Sequence, residues 1–142
     1  MNLFLNYQKS FLDYLKSLQK KKIIDLPNNL KSLTVELPPK GQKADMSCNV
    51  AMILAKFNQK TPLDLANILK KNFLENFKEF EKIDVAKPGF LNINFKIDFW
   101  KNYLFKIIQS DANYGSNKNS QQKYNIEFVS ANPTGPLHVG HC

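Results

Sequence analysis

The run Leu91-Asn92-Ile93-Asn94-Phe95-Lys96-Ile97 alternates apolar and polar residues without a break. Successive side chains of a strand point to opposite faces, so this period of two predicts a half-buried strand. Leu91, Ile93, Phe95 and Ile97 should face inward, and Asn92, Asn94 and Lys96 outward. Phe80–Val85 is the expected antiparallel partner, with Ala86–Gly89, which contains Pro88, as the connection. The other elements are read outward from this hairpin.

Upstream, Leu3, Phe4, Tyr7, Phe11, Tyr14, Leu15 and Leu18 recur at three- and four-residue spacing. That spacing predicts an amphipathic helix over the first twenty residues, with Lys9, Asp13 and Lys16 turned outward. Lys20, Lys21 and Lys22 close it, where cations complement the helix dipole. Leu33–Leu37 reads as extended, stopped by Pro38 and Pro39, and Lys40–Asp45 as a polar loop. Met46, Val50, Ile53, Leu54 and Phe57 mark a second helix capped by Asp45, with Cys48 inside it as a packing residue. Thr61, Pro62 and Asp64 form a helix start, followed by the buried face Leu65, Ile68, Leu69, Phe73 and Phe77. Beyond the hairpin, Asp98 is expected to cap a fourth helix. Its face is Phe99, Trp100, Tyr103, Leu104, Ile107 and Ile108, whose helical spacing favours core packing over a stacking platform.

The chain has 142 residues, 43% hydrophobic and 23% charged, and no apolar run near the length of a membrane span. This composition predicts a soluble protein, and the length leaves room for one domain and the beginning of another. All twenty cations are lysine, against twelve acids, giving a net charge of +8. The excess sits in residues 1–60, with ten lysines and four acids, whereas residues 61–142 carry ten and eight. Such a bias attracts polyanions, RNA first among them, or else marks a solvated lysine surface. Cys48 and Cys142 do not form a disulfide framework, and Met1–Gln8 has no signal-peptide pattern, so the cytosol is the expected compartment.

Ser110–Lys123 is almost free of large apolar residues and reads as a linker at a domain boundary. Tyr124–Val129 looks like a new strand, followed by a Pro- and Gly-punctuated loop, so the sequence is expected to stop inside its second domain. Both histidines, His138 and His141, fall in this last stretch. A strand leading through a rigid loop into a helix start presents free backbone N–H groups to a phosphate. His138 and His141, three residues apart, could converge on one group, with Gly140 leaving room for a flat ring. A metal site lacks a convincing set of further ligands, and two structural histidines on a loop remain an alternative.

Ser130-Ala131-Asn132-Pro133-Thr134-Gly135-Pro136-Leu137-His138-Val139-Gly140-His141 resembles the HIGH signature of class I aminoacyl-tRNA synthetases, in the longer form typical of arginyl-tRNA synthetase. The run Ala131–His141 matches that pattern without a gap. Ala44–Met52 and Lys87–Phe95 are similar to two segments of the family's N-terminal domain, although Ala44 stands where the family has Gly and Lys87 where a small residue is common. The resemblance implies an α+β N-terminal domain, with helices packed on a small antiparallel sheet, over residues 1–110. A linker at 111–123 and the first strand and helix start of a Rossmann-like catalytic domain at 124–142 would follow. It also implies that His138 and His141 contact the ATP phosphates, that Gly140 admits adenine, and that Ser130 and Asn132 hold arginine. The implied reaction is Mg²⁺-assisted formation of arginyl-adenylate and transfer to tRNA(Arg), by a cytoplasmic monomer with no membrane partner. The 142-residue piece alone is then expected to be inactive.

For tRNA contact, Asn49, Lys40 and Lys43 are the candidates, since an exposed loop beside a helix offers amide and ammonium groups to bases and phosphates. Asn49 bonding only the backbone is the competing reading. A stand-alone basic tRNA-binding module without catalysis and a plain interaction domain are the alternative functions.

Overall fold

The computed structural model describes residues 2–116 together with Lys123 and Asn125. The expected strand at 124–129, Asn125 apart, and the histidine-bearing segment beyond it lie outside the described residues.

Helix α1 spans Leu3–Lys20, with Asn2 accepting from the Leu5 N–H at its start. It buries Tyr7, Phe11, Leu15 and Leu18, as the spacing predicts. Strand β1 is Val35–Glu36 and β2 is Met46–Cys48, followed by α2 at Val50–Ala55 and α3 at Pro62–Asn76. Thr61 Oγ1 accepts from the Asp64 N–H at 3.1 Å and donates to its carboxylate at 2.6 Å, the reciprocal cap expected from the sequence. Strands β3 (Phe80–Ala86) and β4 (Phe90–Phe95) form the anticipated hairpin, and α4 (Ile97–Ser110) ends in a 3₁₀ turn at Asp111–Asn113. No helix among the described residues is long and apolar enough to cross a membrane.

The sheet order is β1-β2-β4-β3 with every pairing antiparallel, so the fold is α+β. Register decides which residues share a face. Val35 pairs with Cys48, Cys48 with Leu91, Leu91 with Val85, and Met46 with Ile93. This face meets Phe11, Leu15, Leu54, Leu65, Leu69 and Phe73 in one continuous core. Each such fully buried side chain contributes about 1.5–3 kcal/mol. Aromatic rings join the layers: Phe11 and Phe73 lie 4.7 Å apart between α1 and α3, and the Tyr7 hydroxyl donates to Glu79 at 2.9 Å.

Three expectations are corrected. Met46–Cys48 is a strand, not the opening of a helix, because its three residues pair with β1 on one side and β4 on the other, and both sides lie far away in sequence. Asp45 therefore caps no helix; its carboxylate accepts the Phe95 N–H at 2.8 Å and pins β2 to β4. Cys48 is buried on that strand as packing, with its thiol pushed up to about 12 by burial, and Phe57 is half exposed beyond α2.

The second correction concerns the strand's far end. β4 stops at Phe95, Lys96 takes the cap position, and Ile97 begins α4 with its side chain largely in solvent. Asp98 lies in the first turn, where it pairs with Lys101 and makes no capping bond. The third concerns α4 itself, which buries none of its residues. Phe99 and Trp100 pack against the core, but Leu104 and Ile108 are 57% and 65% exposed, so the helix is anchored by its first turn only.

Candidate functional site

A four-stranded sheet with its helices on one face leaves the other face open. The same register that sends Met46 and Leu91 inward sends Glu36, Ser47, Asn92, Asn94 and Asp84 to that open face. Polar residues there are unremarkable when solvated. Ser47 and Asn92 are not: they are only 3% and 6% exposed. The Ser47 hydroxyl donates to Asn92 Oδ1 at 2.8 Å, and Asn92 Nδ2 donates to Gln42 Oε1. Gln42 belongs to the loop Lys40–Asp45, which crosses this face, and Asn94 Nδ2 reaches the Lys43 carbonyl of the same loop at 3.4 Å. Asn94 Oδ1 is buried with no partner among the described residues.

Ser47, Asn92 and Gln42 border a cavity of about 280 Å³ whose lining also includes Glu36, Leu37, Pro39, Lys87 and Phe90, near the lower size limit of small-ligand sites. Phe90, the first residue of β4, supplies a half-buried ring. Its position is set by the turn before it. A Cβ on Gly89 would stand 2.7 Å from Pro62 Cβ and 3.1 Å from the Pro62 carbonyl, so only glycine lets the hairpin end seat against the start of α3. The site thus combines a ring face, amide and hydroxyl groups with spare donors and acceptors, and an ammonium at the rim. An unstacked nucleobase is read by such a combination.

Lys40 and Lys43 lie on the loop that carries Gln42 into the site, and both are exposed. Asn49 lies elsewhere. It precedes α2, where its Oδ1 accepts from the Thr34 N–H at 2.9 Å and its Nδ2 donates to the Ser32 carbonyl at 3.0 Å, tying the segment before β1 to the helix start. The cavity lining does not include it. Ser130, Asn132, His138, Gly140 and His141, with the rest of the Ala131–His141 run, lie outside the described residues. Among the described residues no group of three His, Cys, Asp or Glu side chains converges as a metal site.

Sequence reading missed Gln42, Ser47, Phe90 and Asn92 as a group. Asn92 read as one of the outward polar residues of an alternating strand, and its partner Ser47 was hidden while Met46–Cys48 read as helix.

A family model described as the arginyl tRNA synthetase N terminal domain matches residues 6–95, which include all four residues. Among curated proteins, the chain is 48% identical over 143 aligned positions to the arginine–tRNA ligase of Pelagibacter ubique (strain HTCC1062). It is 37% identical over 143 positions to that of Wolbachia pipientis subsp. Culex pipiens (strain wPip); each alignment covers 100% of this chain and 25% of the relative. With the ligase of Geotalea uraniireducens (strain Rf4) the identity is 41% over 78% of this chain and 20% of the relative. The chain therefore spans about a quarter of the length of the curated relatives it matches.

Proposed function

The chain belongs to the arginyl-tRNA synthetase family through its N-terminal domain, and from that premise we propose that its open sheet face binds tRNA(Arg). The cavity bounded by Phe90, Asn92, Gln42 and Ser47 takes one unstacked base of a tRNA loop. Phe90 stacks on the base, and the amide and hydroxyl groups read its edge. Lys40, Lys43 and Lys87 meet the neighbouring phosphates, adding affinity without sequence information. The Ser47–Asn92–Gln42 chain carries this reading, because it holds polar groups with unused donors and acceptors against the cavity on a sheet face that no helix covers.

The same premise extends the proposal to catalysis by a protein that carries this domain ahead of a nucleotide-binding unit beginning near Tyr124. That protein activates arginine with ATP and transfers it to tRNA(Arg). His138 and His141 donate to the phosphate oxygens as charge develops, an effect of about 3 kcal/mol for a single well-placed donor. Gly140 leaves space for adenine, and Ser130 and Asn132 hold arginine. Mg²⁺ supplies phosphate charge neutralisation in such reactions.

Binding is tested with the purified chain and a fluorescent tRNA(Arg) transcript followed by anisotropy. Phe90→Ala should weaken binding about 5- to 150-fold, the range of one lost base stack. Equal affinity of the variant and the unaltered chain removes the base pocket from the proposal. Catalysis is tested by tRNA-dependent exchange of pyrophosphate into ATP in the longer protein, where His141→Ala should lower the rate and an unchanged rate counts against the phosphate role.

A further inference from the structure

A second concave surface lies at the opposite end of β4 from Phe90. The turn between α3 and β3 and the first turns of α4 enclose a cavity of about 400 Å³, and a smaller one of about 240 Å³ reaches to α1. The two share Glu79, Phe99, Tyr103 and Lys106, and so form one groove. Lys78, Lys96 and Lys106 line its larger part. All three are exposed, and none makes an ion pair among the described residues. The two carboxylates that also line the groove are bonded to groups other than these lysines: Glu79 accepts from the Tyr7 hydroxyl at 2.9 Å, and Asp98 pairs with Lys101 at 3.4 Å. The groove's aromatic wall is the end of a ring stack, with Phe95 to Phe99 at 4.1 Å and Phe99 to Tyr103 at 5.9 Å, the latter pair 17° from parallel.

We propose that this groove is a second RNA contact, which holds a single-stranded stretch of the bound tRNA by its phosphates on Lys78, Lys96 and Lys106 and by one base on Tyr103. Unpaired ammonium groups beside the last ring of a stack suit a polymer that alternates negative charge with flat rings. A surface without the rings would suit any polyanion, and one without the lysines would suit a protein. The site rests on the tRNA reading above but is separate from the base pocket, since β4 places Phe90 and Lys96 about 20 Å apart along the strand.

The test measures tRNA affinity of the chain against salt concentration for two triple variants of equal charge change. One is Lys78→Gln/Lys96→Gln/Lys106→Gln, and the other is Lys20→Gln/Lys21→Gln/Lys22→Gln at the exposed end of α1. Three lost single-strand phosphate contacts lower the slope of log affinity against log salt by about 2. The affinity ratio between 50 and 200 mM salt then shrinks by about 20-fold in the groove variant only. Tyr103→Ala should weaken binding about tenfold, with Tyr103→Phe retaining it because the ring remains. Equal slope changes in the two triple variants assign the effect to diffuse charge and overturn the groove. So does an unaltered slope in the groove variant while Phe90→Ala still weakens binding, which leaves the base pocket standing. No binding by the unaltered chain overturns both.

Discussion

Replacing Ser47 with Ala deletes one hydroxyl, and the structure says what that leaves behind. Asn92 Oδ1 loses the 2.8 Å bond it accepts, at a position where the residue is only 6% exposed. An acceptor stranded in that way costs about 1–3 kcal/mol. In a domain of this size each kcal/mol lowers the melting temperature by about 4–8 °C, so a cost near the middle of the range lowers it by about 8–16 °C. Ser47→Ala/Asn92→Leu should recover most of the loss. Both ends of the buried bond are then gone, Gln42 is exposed and returns its amide to water, and the leucine adds apolar burial of about 2 kcal/mol. The assay is urea unfolding followed by circular dichroism, with the slope checked for constancy so that midpoints report stability alone. The double variant should fold well and fail to bind tRNA, which separates what the polar pair does for the ligand from what it does for the fold. A single variant within about 0.5 kcal/mol of the unaltered chain, together with a double variant less stable than the single, refutes the reasoning.

Gly89→Ala must displace Pro62 or the hairpin turn, and should cost about 1–3 kcal/mol in the same urea assay while shifting Phe90 and weakening tRNA binding. An unchanged midpoint shows that the turn yields freely. The Tyr7 hydroxyl is raised well above its ordinary value, first by burial and then by its bond to Glu79 and the carboxylate charge. The folded state therefore keeps a proton that the unfolded chain releases above about pH 10, and stability, full below that pH, falls above it by up to about 1.4 kcal/mol per pH unit. Tyr7→Phe should remove that part of the alkaline slope, at the cost of the hydroxyl bond at neutral pH, and an identical slope in the variant assigns the loss to other groups. Cys48, buried and with its thiol pushed up to about 12, should resist alkylation at pH 8 until the chain is unfolded, as read by peptide mass mapping. Rapid native labelling at Cys48 contradicts its buried placement.

Sequence periodicity located every element whose pattern repeats over enough residues to be heard. α1 and α3 each bury four residues at helical spacing, and the β3–β4 hairpin follows from strict alternation in β4. What it could not locate was held by non-local pairing. Three residues, Met46–Cys48, cannot show a period, and Asp45 before an apolar run looks the same whether it caps a helix or, as here, accepts from Phe95 fifty positions away. The candidate site was hidden by the same gap. Asn92 was legible as polar but not as buried, because its burial is created by Ser47 beside it and by Gln42 arriving from the loop above. α4 erred in the opposite direction: its apolar residues do form one face, as the spacing predicts, but periodicity cannot say whether that face finds a neighbour, and beyond the first turn it does not.

The two faces of the sheet differ in kind, one apolar and helix-covered, the other carrying a buried polar chain. On the helix-covered face every position paired across the strands is apolar, and the core there continues through α1, α2 and α3 without a polar interruption. On the other face Ser47 and Asn92 are withdrawn from water, their side chains bonded among the described residues to each other and to Gln42, an arrangement that apolar residues of the same size can nearly match in stability. The proposed base contact gives the pair a role that stability alone does not supply. The hairpin would link the two proposed contacts mechanically. Phe90 begins β4 and Phe95 ends it, with Phe99 stacked on Phe95 one turn into α4, so one rigid strand fixes the spacing of base pocket and groove. A strand of fixed length measures distance along a bound polymer. On the proposed tRNA reading, that fixed spacing would select among RNAs by shape as well as by the base held at Phe90.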